Sequence, residues 1–183
     1  MIPLIIVLAL IVLLVIIAIG IYNGLVVKRN RVRNGWSQID VQLKRRIDLI
    51  PNLVESVKGY AAHEKEIFER IAEARSLAIN AKGPAESAKA NNMLSDTLKT
   101  LFAVTENYPN LKANENFLKL QEELTTTENK ISFARQFYND VVMEFNNATQ
   151  MFPSSIFAGM FNFKAEEFYN APEADREPPK VKF

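Results

Sequence analysis

The chain opens on an unbroken apolar run and then settles into a helical rhythm. Ile2 to Ile21 carry no charged side chain and almost no polar one. About 20 residues at helical rise cover roughly 30 Å, the thickness of a bilayer's hydrocarbon core. Tyr22 follows, where an interfacial aromatic belongs. The pattern predicts a transmembrane anchor over residues 1–27. A buried soluble helix would show a polar face. A cleaved signal peptide would begin with basic residues and have a shorter apolar run, although Ala18-Ile19-Gly20 resembles a cleavage triplet.

From Trp36 onward, apolar positions recur at heptad spacing. One series reads Trp36, Leu43, Ile50, Val57, Glu64, Ile71, Ala78; the next reads Ile39, Arg46, Leu53, Tyr60, Ile67, Ala74. The stripe predicts one long bundle helix that ends at Gly83-Pro84. Pro51 lies inside it, one position past the core site Ile50 and on the outer side. A proline there removes the bond to the carbonyl of Ile47, so a bend is predicted, with that carbonyl meeting water.

A second helix is predicted from about Ala85 to Asn107, on Leu94, Leu98, Leu101 and Phe102, and Tyr108-Pro109-Asn110 stops it. A third is predicted from about Ala113 to Phe152, on Phe117, Leu124, Ile131, Tyr138 and Phe145. Pro153-Ser154-Ser155 then breaks the chain before a short helix from Ile156 to Phe161.

The predicted class is therefore all-α. An N-terminal transmembrane helix leads into an antiparallel up-down bundle over residues 28–168, with three long helices and a short C-terminal one. Residues 169–183, with three prolines and alternating charge, are predicted to be a disordered tail. Up-down-up order places the end of the third helix far from the membrane. Phe152, Phe157, Phe161 and Phe163 are thus expected at the distal end, either covered by the short helix or open as an interface.

Charge changes this picture in one respect. No basic side chain precedes the apolar run, whereas Lys28, Arg29, Arg31 and Arg33 follow it. The positive-inside rule predicts a single-pass protein of the cell (inner) membrane, with the N-terminus outside and the C-terminal domain cytoplasmic. Gly20 and Gly24 form a GxxxG spacing that lets two membrane helices pack closely. The overall net charge of +1 gives no reason to expect a nucleic acid partner.

Candidate chemistry is sparse. The absence of cysteine excludes disulfides, thiol catalysis and cysteine metal sites. A single histidine, His63, excludes any site that needs two imidazoles, and no glycine pattern cradles a phosphate. No cofactor, metal, small-molecule substrate or catalytic residue is expected. An enzyme would have to draw on polar residues in the stripes: Asp40, Arg46, Asp48, Glu64, Glu128, Arg135 and Asp140. Interhelical pairing accounts for them equally well. Arg46, Asp48, Glu128, Arg135 and Asp140 are therefore read, with Pro51, as structural pins, Arg46 paired to a carboxylate on a neighbouring helix.

The stretch "YNGLVVKRNRVRNGWSQIDVQLKRRIDLIPNLVESVKGYAAHE" resembles the opening of the LemA family of bacterial membrane proteins. "YPNLKANENFLKLQEELTTTENKISFARQFYNDVVMEFN" is similar to its second signature, and "FPSSIFAGMFNF" to its third. The resemblance covers roughly residues 22–168, with Gly35 standing where the family suggests Ala. It implies a single-pass anchor and a helical bundle, and brings no agreed activity, cofactor or catalytic residue. It also implies kinship with magnetosome membrane proteins and gene neighbourhoods near membrane metalloproteases.

The expectation is a membrane-anchored scaffold or adaptor in membrane organisation or membrane-protein assembly. Its partners would be the lipid bilayer and either itself or other membrane proteins. The alternatives are an accessory factor of a membrane protease or quality-control system, and an enzyme or lipid-sensing module.

Overall fold

The computed structural model describes residues 2–169. Six helices follow one another: α1 (Ile2–Lys58), α2 (Lys65–Asn80), α3 (Gly83–Thr105), α4 (Pro109–Lys112), α5 (Glu115–Gln150) and α6 (Ser154–Met160). No strand occurs among the described residues. The first third of α1 is the apolar run, whose large side chains from Ile2 to Ile19 are exposed, while Ile21 packs on the bundle. The remaining two thirds form the first helix of the bundle, with Leu25, Val32, Ile39, Leu43, Ile50, Leu53 and Val57 buried along one stripe. The apolar run and the bundle therefore share one continuous helix.

The all-α bundle agrees with the sequence pattern, but the helix predicted to run from Trp36 to Gly83 is two helices. It breaks over residues 59–64. Gly59 weakens helix at this point by about 1 kcal/mol relative to alanine. The chain turns there with the Tyr60 and Ala61 amides both donating to the carbonyl of Val57, at 3.0 and 2.9 Å. Ala61 fills the inside of the turn and α2 folds back along α1, placing Ile67, Ile71, Ala74 and Ala78 on Ile50, Leu53 and Val57. The second reversal, between α2 and α3, uses Gly83 at φ 75°, in the left-handed region that glycine enters without a side-chain clash. Pro84 follows in the first turn of α3, where its missing N–H costs nothing.

The extra reversal changes the direction of everything after it. α3 runs away from the apolar segment, and α5 returns to it antiparallel to α1. Lys28 meets Glu144, Gly35 meets Tyr138 and Val141, and Arg46 meets Glu128. The bundle thus has four long helices, α1, α2, α3 and α5, rather than three. The phenylalanine-rich end after α5, expected far from the apolar run, lies beside it: the Phe161 ring is 4.8 Å from that of Tyr22.

At the opposite end the two interhelical connections hold each other. The Tyr108 hydroxyl donates to Glu64 at 2.9 Å, and Asn114 donates to the Tyr60 hydroxyl at 3.1 Å. Asn114 also caps α5 by accepting from the amides of Asn116 and Phe117.

Gly35 is buried where α1 packs on α5. A β-carbon there would lie 3.3 Å from a Val141 methyl and 3.4 Å from the Tyr138 α-carbon. The glycine that stands where the family suggests alanine is thus a close-packing position. Heptad side chains from α1 and α5 (Ile39, Leu43, Ile131, Tyr138, Val142, Phe145) fill this half of the core, each worth ~1.5–3 kcal/mol of transfer free energy.

Pro51 sits exposed within α1, and the helix runs through it. The carbonyl of Ile47 that it frees does not simply face water. Arg75 of α2 donates its Nε–H to it at 3.2 Å. The proline therefore provides an acceptor by which α2 is fixed to α1. Arg75→Ala should cost about 1 kcal/mol in the natural chain and markedly less once Pro51→Ala has returned the Ile47 carbonyl to its own helix. Urea titration of the two single variants and the double variant measures the coupling; equal costs in both backgrounds would reject it.

Candidate functional site

Two features of the bundle stand out: a buried polar node at its centre and the aromatic end beside the apolar run.

The node is built on Arg46. Its position in the heptad directs a long cation into the core, where it is 1% exposed. Two helices supply its acceptors. From α3 come the Ser95 hydroxyl at 2.8 Å, the Asn91 carboxamide oxygen at 2.6 Å and the Asn91 carbonyl at 3.1 Å. From α5 comes the Glu128 carboxylate, which forms an ion pair with it. Asn91 is itself fixed by donating to the carbonyl of Ser87 at 2.8 Å.

Burial lowers the affinity of the Arg46 guanidinium for its proton, and Glu128 opposes that shift. Arg135 stands nearby and adds to the lowering. A guanidinium starts so high that it stays charged at neutral pH. Arg46 therefore acts as a fixed positive centre joining α1, α3 and α5. A cleft of about 290 Å³ opens beside it, lined among others by Lys99, Phe102 and Asn129. The node contains a paired cation, a carboxylate and amides. The Ser95 hydroxyl and the Glu128 carboxylate accept from the same guanidinium nitrogen, and no metal-ligating group of three or more His, Asp or Glu occurs among the described residues.

The other candidates separate. Arg135 stacks its guanidinium on the Tyr169 ring at 4.7 Å. Asp40, Asp48 and Asp140 lie on the exposed surface, outside the node. Glu64 belongs to the far turn through Tyr108. Gly20 and Gly24 face open space. Of the basic residues after the apolar run, Lys28 and Arg31 reach Glu144 at 3.4 and 3.7 Å, Arg29 covers the Phe163 ring at 4.8 Å, and Arg33 is exposed.

Sequence reasoning missed a strap formed by residues 164–169, which follows α6 without regular secondary structure and lies along α5. Two asparagines of α5 hold it. Asn146 donates to the Glu166 carbonyl at 2.9 Å and accepts from its amide at 2.8 Å. Asn139 does the same for Tyr169, at 3.0 and 2.8 Å. The spacings match: seven residues of helix advance about 10.5 Å, and three residues of extended chain about 10 Å. The carboxamides thus take the place of a neighbouring strand.

Tyr138 adds a bond from its hydroxyl to the Glu167 carbonyl at 2.8 Å. Burial, reinforced by Glu166 and Glu167, pushes the Tyr138 phenol up to about 12, so it remains a donor throughout the physiological range. Tyr169 ends the strap 2% exposed, its ring 6.4 Å from that of Trp36. Ordered packing therefore continues one residue past the boundary expected at 168. The remainder of the expected disordered tail, residues 170–183, lies outside the described residues.

The aromatic end is made by the chain's exit from α5. The α6 helix closes with paired bonds, Phe163 N–H to the Ala158 carbonyl at 2.9 Å and Asn162 N–H to that of Gly159 at 3.3 Å. Asn162 takes φ 55°, the left-handed cap conformation that asparagine tolerates. This turns Phe163 inward against Phe145 and Tyr22, while Phe152 and Phe161 stay exposed and Phe157 is half-buried.

These features define an all-α protein in which one apolar N-terminal helix continues into a four-helix bundle locked by a buried arginine. The LemA family model matches residues 35–183, and the chain belongs to the LemA family. It is 25% identical over 162 residues to Protein LemA of Metamycoplasma hominis, covering 86% of this chain and 73% of that protein. It is 24% identical over 183 residues to magnetosome protein MamQ 2 of Paramagnetospirillum magneticum, covering 86% and 67%. MamQ of Magnetospirillum gryphiswaldense matches at the same identity and coverage.

Proposed function

We propose that the chain is a single-pass membrane protein that works as an assembly adaptor, with its bundle on the cytoplasmic side. The observation that carries the adaptor reading is an apolar patch on the flank shared by α1 and α5. Phe133 is 73% exposed, with Phe137 one helical turn on and Val41 of α1 opposite. A phenylalanine so exposed adds nothing to the core, and a cluster of such residues on a bundle flank suits a protein partner. Two further observations support the reading. The conspicuous buried polar groups are engaged in holding helices together, and the similar MamQ proteins are named as magnetosome proteins. The basic run Lys28–Arg33 after the uncharged span supports a cytoplasmic bundle.

Phe133→Ser combined with Phe137→Ser tests the adaptor role. Both side chains lie outside the core, so thermal stability should change by less than about 1 kcal/mol. Native complexes extracted from membranes should shrink to the size of the single chain. Complexes of unchanged size and composition would reject this flank as the assembly surface. An accessory role beside a membrane protease is the second form of the same reading: a protease would then be among the proteins lost.

A further inference from the structure

We propose that α6 and the turn leading into it form a second membrane contact, lying in the interface of the same bilayer that α1 spans. This rests on the reading of α1 as a membrane span.

The first observation is composition. Between Glu144 and Lys164 there is no charged residue. The second is the direction of the side chains. Ala158 and Phe163 face the bundle and are buried, which seats α6 on the fold. Phe152, Ile156, Met160 and Phe161 point outward, Phe152 82% and Met160 69% exposed. An apolar set on one side of a helix, with the other side fixed to the protein, needs an apolar medium on its free side.

The third observation is height. The rings of Phe161 and Phe163 lie 4.8 and 5.8 Å from that of Tyr22, the residue that ends the apolar run of α1. The basic residues come next along α1, and Arg29 already reaches the Phe163 ring. The exposed face of α6 therefore stands between the end of the span and its basic collar. That is the level of the boundary between acyl chains and headgroups, where phenylalanine and methionine enter and Lys or Arg reach phosphate. Continuity with the span selects lipid over other occupants: a bilayer around residues 2–21 already extends to the level of Tyr22, beside which Phe161 lies, and Met160 is its chain neighbour.

The natural absence of cysteine makes a direct test simple. Single cysteines are placed in the full chain as Leu10→Cys, Phe152→Cys, Met160→Cys and Ala62→Cys. Each is labelled with an environment-sensitive fluorophore and reconstituted into phosphatidylcholine–phosphatidylglycerol vesicles with bromine at shallow or deep acyl positions. All four side chains lie outside the bundle core, and circular dichroism verifies the fold. Leu10 reports the span and Ala62 the far end of the bundle.

The proposal expects probes at 152 and 160 to be quenched several-fold more by shallow bromine than by deep bromine, and Ala62 by neither. Strong quenching at Leu10 with none at 152 and 160 would overturn the second contact while leaving the anchor intact. No quenching at Leu10 would overturn the anchor, and with it this proposal. Fluorophore contact between copies at 160, without lipid quenching, would assign the face to a second chain and likewise overturn it.

Discussion

Arg46→Ala should lower the free energy of unfolding by about 2–4 kcal/mol, from the lost packing of an enclosed side chain together with a buried carboxamide left without its partner. The substitution removes a side chain that is almost wholly enclosed and strips hydrogen bonds from Asn91, Ser95 and Glu128 at once. Asn91 is the costly one, since it is buried and its carboxamide oxygen would lose its guanidinium partner. Glu128 is half exposed and regains water. Arg46→Met separates the two contributions. It refills much of the volume and omits the charge, so it should recover a substantial part of the loss. Urea unfolding followed through the single tryptophan, Trp36, gives both numbers. An alanine variant within about 1 kcal/mol of the natural chain would mean that the node does not hold α1, α3 and α5 together.

The second large effect is expected from Asn139→Ala combined with Asn146→Ala. Each asparagine makes two bonds to the strap, and the backbone groups of Glu166 and Tyr169 lose those partners. At ~0.5–1.5 kcal/mol for each of the four net hydrogen bonds, the double variant should lose about 2–6 kcal/mol. Release should also be local. Tyr169 would leave its place near Trp36, changing tryptophan emission, and residues 164–169 should be cut by protease under conditions in which the bundle remains folded. Simultaneous loss of strap and bundle would show that the strap is an integral part of the core. Unchanged protease resistance would show that packing of Tyr169 suffices to hold it.

Much of the architecture was legible because heptad spacing reports burial directly. The core stripes of α1, α3 and α5 consist largely of residues that the spacing selects, joined by Leu25, Val32, Ala88, Ala90 and Val142. Direction was not legible, and a single turn explains why. The connection over residues 59–64 replaces about two turns of helix and keeps the phase, so Val57 and Ile71 both land in the core as though one helix joined them. Gly59, and Glu64 in a core position, were the available signals, and both are mild. One missed reversal inverts every later helix, which moved the aromatic end from the far side of the bundle to the side of the apolar run.

The node was half legible. A cation at a core position calls for an anion, but Asn91 and Ser95 carry no mark that separates them from surface residues. Asn139 and Asn146 were invisible for a related reason. Their partners are backbone groups of a segment without regular secondary structure, which leave no pattern of side chains to read.

Because α1 is one helix of 57 residues, no joint separates the apolar run from the bundle. The bundle therefore has no independent heading: whatever angle the span adopts, the bundle adopts. From Lys28 to Lys58 the helix extends about 45 Å by its rise, so a span tilted by about 20° would carry the far turn sideways by roughly 15 Å. A change in bilayer thickness that re-tilts the span is thereby magnified into a lateral sweep of the Gly59–Glu64 turn. On the proposed reading of α1 as a span, the molecule is a pointer whose pivot lies in the membrane.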